Sequence, residues 1–206
     1  MRAIDAPPHA RTLVPVAQRR HHYERAFEGF LRANRIPYIS VDEARRALLP
    51  ESARLTISGD PSGANALKSF DFVVYSPTPG QPNLLVEVKG RKVPYVPSGS
   101  GRKGRFECWV SGDDVESLPK WERLFGPGFR ACFAFIYWCD GHPPDGLFNE
   151  VFVQDDRWYA VRSVLFRDYA RHMKPRSRKW GTMHLSAADF DALSRPMLGV
   201  PHAASA

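Results

Sequence analysis

With 206 residues, 43% of them hydrophobic and 25% charged, the chain can bury one sizeable core and is too apolar for intrinsic disorder. Lys and Arg number 29 against 22 Asp and Glu, a formal charge of +7. That surplus favours anionic partners such as nucleic acid, with a merely basic solvated surface as the bland alternative.

Cys108, Cys132 and Cys139 show neither CxxC pairing nor zinc-finger spacing, which fits buried free thiols in a reducing compartment. Residues 1–20 carry Pro7, Pro8 and Pro15 among basic residues, without the apolar core of a secretory signal. No stretch approaches the roughly 20 apolar residues of a membrane helix. The expectation is a soluble, cytoplasmic protein: a flexible N-terminal arm over 1–17, a single domain over 18–198 and a flexible tail over 199–206.

In chain order, residues 18–34 place Tyr23, Phe27, Phe30 and Leu31 at helical spacing, giving one apolar stripe. Pro37 ends that helix, residues 38–41 read as a strand, and residues 42–49 as a short helix stopped by Pro50. Residues 58–66 are loop by composition. Two apolar strands follow at 69–75 and 84–89, joined by a turn-rich connector that suits a hairpin. Residues 91–104, rich in Gly, Ser, Pro and cations, predict a surface loop. A third strand is expected at 106–110. Ser111 then caps a helix with Asp114 at the third helical position, and Pro119 is expected to split that helix. The apolar run over 130–139 has the pattern of a strand buried on both faces. A second hairpin is expected around Asp155-Asp156-Arg157. A helix over 162–173, a basic loop, a strand over 181–185 and a last helix over 186–194 close the chain.

The chemistry concentrates in Leu84-Leu85-Val86-Glu87-Val88-Lys89. On a strand, alternate side chains share a face, so Glu87 and Lys89 point one way while Val86 and Val88 point the other. They form an ion pair, face water, or serve a reaction. The earlier strand carries a lone carboxylate, Asp71, which hairpin pairing would bring alongside Glu87. Two carboxylates and a backbone carbonyl, that of Val88, suit Mg²⁺ or Mn²⁺, which keeps several waters of its own. Such an ion activates water and neutralises charge on a scissile phosphate, with Lys89 orienting the water or stabilising the transition state.

A carboxylate on one hairpin strand followed by Glu-x-Lys on the next resembles the PD-(D/E)XK nuclease superfamily. The resemblance implies a mixed central sheet flanked by helices, an α/β (α+β) class, and a metal-dependent phosphodiesterase acting on DNA. The alternative it leaves is an inactive relative that binds nucleic acid or another partner. It also implies a further glutamate from the first helix, and Glu24 stands at the matching position. The surrounding residues are similar to the opening helix of archaeal Holliday-junction resolvases. His22-Tyr23-Glu24-Arg25-Ala26-Phe27-Glu28 resembles the motif of the HYExAFE family of uncharacterised proteins. Phe70 stands where the superfamily name has proline. The basic residue often found on the following helix has Lys120 and Arg123 as its candidates. Glu24 as a surface carboxylate beside Glu28 is the other reading.

Two basic clusters suit a nucleic-acid backbone. Arg91, Lys92, Arg102, Lys103 and Arg105 flank the Gly/Ser loop after the candidate site. Arg167, Arg171, His172, Lys174, Arg176, Arg178 and Lys179 form the second cluster, with Tyr169 and Trp180 interleaved. His21 and His22 are adjacent on a helix and diverge by about 100°, which argues against a shared metal ion.

Overall fold

A computed structural model of the chain describes residues 16–48, 67–94, 106–140 and 150–197. The first apolar stripe lies on α1 (Val16–Ala33), where Ala26, Phe27, Phe30 and Leu31 are buried. After Pro37 come β1 (Tyr38–Ser40) and α2 (Val41–Leu48). β2 (Phe72–Val74) and β3 (Asn83–Val93) form the expected antiparallel hairpin, Phe72 opposite Val86. Then follow β4 (Val110–Ser111), α3 (Gly112–Phe125) and β5 (Phe129–Cys139). β6 (Val151–Gln154) and β7 (Arg157–Leu165) are the second hairpin. Its two turn residues, Asp155 and Asp156, have φ of 49° and 57°, the left-handed pair that tight hairpins require. α4 (Phe166–His172), β8 (Lys174–Ser177), β9 (Thr182–His184) and α5 (Ala187–Leu193) complete the described elements.

Six strands form a mixed sheet in the order β1-β2-β3-β5-β7-β6, and β4-β9-β8 form a smaller one. In the large sheet only β3 and β5 run parallel, with α3 on the crossover between them. Leu84 and Val86 face the core under α1, whereas Leu85 and Val93 face the core shared with Leu118, Tyr169 and Phe190 of α3, α4 and α5. Period two therefore puts Glu87 and Lys89 on the α3 side. β5 is buried on both faces over Ala131–Tyr137. This is the expected class, a mixed central sheet flanked by helices. The three cysteines are free and buried.

Six local expectations are corrected. The strand expected over 69–75 is only Phe72–Val74, with Asp71 in a bend before it. β3 runs on to Val93 because β5 continues beside it, so Arg91 and Lys92 are strand residues opposite Tyr137 and Trp138. Of 106–110, only Val110 is strand. Pro119 does not split α3, which is continuous around it; one missing N–H is outweighed by burying Leu118 and Ser117. Residues 162–165 extend β7, since Cys132 pairs with Leu165 and Phe135 with Arg162, and part of the basic loop after α4 is β8. The Arg162 guanidinium lies over the Phe190 ring, 4.6 Å from its centroid, and meets Asp191 at 2.8 Å, so a cation is tolerated on an inner face.

Gly90 fixes how closely α1 lies on β3, because a Cβ there would come within 2.1 Å of the Tyr23 ring. Gly90→Ala is expected to lose about 1–3 kcal/mol by forcing Tyr23 and its helix outward. The same substitution in a Tyr23→Ala background is expected to cost much less. Thermal melts of the four-protein cycle measure that coupling.

Candidate active site

Asp71 sits opposite Glu87 at the point where β2 is about to begin. Its own N–H donates to the Val86 carbonyl at 3.0 Å, and its Oδ2 accepts the Val88 N–H at 2.6 Å. The side chain thus takes over a ladder bond the bend cannot supply, and this holds the carboxylate beside Glu87. Burial pushes the Asp71 carboxyl well above its usual range, and the Glu87 charge pushes it further. The Val88 N–H opposes the shift, Glu24 of α1 adds to it, and Lys89 opposes it. The expected trio of Asp71, Glu87 and Lys89 is therefore brought together, with Glu24 within electrostatic reach.

On the α3 side of the same strand, two ammonium groups alternate with two carboxylates. Lys89 Nζ is 2.8 Å from Glu87 Oε1 and 2.6 Å from Asp114 Oδ2. Lys68 Nζ is 2.7 Å from Glu87 Oε1 and also bonds Asp114 Oδ1. Asp114 is the third residue of α3, and the expected capping box forms around it: Oδ2 accepts the Ser111 N–H while Ser111 Oγ accepts the Asp114 N–H. Lys68 is fixed to the same helix through its backbone, its N–H on Ser117 Oγ and its carbonyl on Trp121 Nε1. Burial favours a neutral Lys68, but Glu87 and Asp114 outweigh it and raise its pKa. Burial would likewise raise Asp114, and Lys89 with Lys68 outweighs it and holds the carboxyl well below the usual range.

Sequence reasoning missed Lys68, which lies in a stretch without periodicity, and assigned Asp114 to capping alone. The proposed helix cations do not take this place: Arg123 is exposed, Lys120 is half-buried, and the ion pairs from α3 to β3 run through Asp114. Arg91 is half-buried, its guanidinium 3.9 Å from the Trp109 ring centroid and bonded to the Gly90 and Trp109 carbonyls. Lys92 is exposed, 3.1 Å from Asp140. Arg102, Lys103 and Arg105 lie outside the described residues. Tyr169 of the second cluster is fully buried, its hydroxyl 2.7 Å from the Cys108 carbonyl, so it is core rather than a stacking surface. His22 meets Tyr159 Oη at 3.0 Å; burial, with Arg157 and Arg25, lowers its pKa to about 4. It is a neutral packing residue.

Among the described residues no group of three or more His, Cys, Asp or Glu is arranged to hold a metal ion. The atoms that remain for one are an Asp71 oxygen, Glu87 Oε2 and the Val88 carbonyl, which leaves the strand on the same edge as its N–H. So sparse a set of hard oxygens fits Mg²⁺ or Mn²⁺, which retain their own waters, and does not fit a zinc or calcium cage. The mutual repulsion of Asp71 and Glu87 is what a dication would relieve.

No protein-family model matches the chain, and no curated protein matches it. Among solved structures it is similar to Hjc, a Holliday junction resolvase of the archaeal hyperthermophile Archaeoglobus fulgidus. That likeness has a TM-score of 0.43 and 15% identity over 84% of this chain and 88% of that one. Among the described residues no helix is long and apolar enough to cross a membrane.

Two outcomes follow from the charges. Because the folded pKa of Asp71 is raised, the unfolded chain ionises first as pH climbs past 3.8, so metal-free stability falls from there up to the folded pKa. Asp71→Asn keeps an acceptor for the Val88 N–H and removes the repulsion. It is expected to raise the metal-free melting temperature at neutral pH by a few °C and to flatten that pH slope. Asp114→Ala removes a helix cap and the buried partner of two ammoniums, and is expected to cost about 3–5 kcal/mol in urea unfolding.

Proposed function

We propose that the chain is a metal-dependent phosphodiesterase of the PD-(D/E)XK type acting on nucleic acid, with DNA the first choice of substrate. The observation that carries this reading is the Asp71 carboxylate held against Glu87 on the neighbouring strand, with Lys89 on the same face as Glu87. Asp71, Glu87 and the Val88 carbonyl would hold Mg²⁺ or Mn²⁺, which when bound supplies an activated water and neutralises phosphate charge.

The chain's own groups do the rest. Lys89 is held between Glu87 and Asp114, so its ammonium is oriented in advance to donate to an attacking water or a phosphoryl oxygen. Lys68, whose side chain is 40% exposed, offers a second cation from the solvent side. Glu24 is the accessory carboxylate. Lys92, with Arg91, Arg102, Lys103 and Arg105, would lie along the backbone of the substrate. Residues 18–198 act as one unit in this reading, since strands drawn from residues 38 to 165 share one sheet.

A second reading, a nucleic-acid-binding relative without catalysis, draws on the closure of the Lys68–Glu87–Lys89–Asp114 ring. Two positive and two negative charges balance there with no need of a metal ion.

Melting curves with and without Mg²⁺ or Mn²⁺, beside cleavage assays on single-stranded, duplex and branched DNA, separate the two. On the enzyme reading the wild type gains several °C from the metal and cuts at least one substrate. Lys89→Ala loses cleavage and keeps the metal-induced shift, because an ammonium is not a ligand. Glu87→Ala loses both. A wild type that neither responds to the metals nor cuts any of these DNAs would leave the binding module as the surviving reading.

A further inference from the structure

The hairpin of β8 and β9 is the least expected part of the surface. Between Lys174 and His184 it carries Lys174, Arg176, Arg178 and Lys179 and not one carboxylate. At its tip Trp180 is 73% exposed, more than any other exposed large hydrophobic side chain among the described residues. A single exposed aromatic is ordinary by itself; what sets Trp180 apart is that it stands at the tip of a hairpin that is basic throughout. The tip is nevertheless firmly built. Trp180 donates its backbone N–H to Ser177 Oγ at 3.3 Å, Gly181 takes a left-handed φ of 53°, and the Gly181 carbonyl accepts the Gly112 N–H at 2.7 Å. β9 pairs with β4, the strand that leads directly into α3. The Gly112–Gly181 hydrogen bond sets the tip on the first residue of α3, two positions before Asp114, which grips Lys89.

We propose that this hairpin is a substrate-binding arm, in which Trp180 stacks on an unpaired nucleobase while Arg178 and Lys179 meet the flanking phosphates. The inference deepens the nuclease reading and rests on it for the identity of the polymer. It names the substrate class as nucleic acid with an accessible base, meaning a single strand, an end or a branch. Positive charge without a carboxylate matches a polyanion, and an exposed indole matches a base, whose π-face stacks whatever its sequence. A blunt duplex offers phosphates but few open bases. Lys179 lies 5.5 Å from the Trp180 centroid, so ring and cation reach the same place. Arg176 is drawn back to Glu107 at 3.0 Å and braces the stem.

The test uses the full chain in EDTA, where no cleavage intervenes, and reads fluorescence anisotropy of a fluorescein-labelled single strand and of a blunt duplex of equal length. Trp180→Ala is expected to weaken single-strand binding ~5- to 150-fold, the effect of losing one stacked base, with the duplex nearly unchanged. Trp180→Phe should retain most of the affinity. Replacing Arg178 and Lys179 by Ala should weaken both ligands and reduce the salt dependence. Melting curves of the Trp180 variants should match the wild type, because so exposed a ring contributes little to the core.

Equal loss on both ligands, no loss on the single strand, or a wild type that binds neither at low salt would overturn the arm. So would Trp180-dependent binding to phosphatidylserine vesicles with no discrimination between the two DNAs. A chain that cuts DNA with Mg²⁺ yet fails this test keeps the nuclease reading and loses the arm. One that never cuts but binds single strands through Trp180 keeps the arm and loses the nuclease.

Discussion

Glu87 and Asp114 reach the same spot from a strand and a helix with almost no water around them; Asp114 is 2% exposed and Glu87 6%. Left alone, two such carboxylates would repel and could not both remain charged. Lys89 and Lys68 resolve the conflict by each bridging both acids, so that every charge has two opposite neighbours. The N-terminus of α3 is thereby tied to the centre of the sheet. A buried ion pair stabilises little against an apolar alternative, but losing one partner is expensive. The arrangement therefore fixes geometry more than it adds stability, which is what a site needs from its frame.

The other side of Glu87 is managed differently. Asp71 has a backbone N–H from Val88 as its described hydrogen-bond donor, and its carboxyl is pushed upward by burial, by Glu87 and by Glu24. One end of Glu87 thus lies in a balanced ring with two ammoniums shared with Asp114, while the other faces a surplus of negative charge. The strand fixes both at once, because Val88 presents its N–H to Asp71 while Glu87 and Lys89 project from the face toward α3. Gly90, bare beneath Tyr23, brings in α1 at the distance that sets Glu24 close enough to be felt by Asp71.

Much of this frame was legible in the residues because local chemistry decides it. The apolar run of β5, the Ser111–Asp114 cap, the β2–β3 hairpin and the face shared by Glu87 and Lys89 all follow from patterns within a few positions. What was not legible depends on contacts distant in the chain. Lys68 meets Asp114 across 46 positions and Glu87 across 19, and no spacing signals that. Residues 162–165 look helical until β5 supplies a partner strand and the Phe190 ring a face for the Arg162 guanidinium. Arg91, flanked by Gly90 and Lys92 and heading into a Gly/Ser-rich stretch, reads as a loop cation, yet Trp109 draws it against the sheet.

The two ammoniums that look equivalent in the ring differ in what moving them would cost. Lys89 is 13% exposed, extends directly from β3 and is enclosed by its partners; Lys68 is 40% exposed at the solvent edge. Withdrawing Lys89 would leave both buried carboxylates to Lys68 alone, with no water to replace it, whereas the half-exposed Lys68 can exchange part of its bonding for hydration. Charge arriving at the ring from solvent, whether a dication drawn to Glu87 or a phosphate drawn to the ammoniums, therefore acts first on Lys68. Lys89 stays in place. A frame with one fixed and one yielding cation can admit a charged ligand without losing the geometry that holds α3 to the sheet.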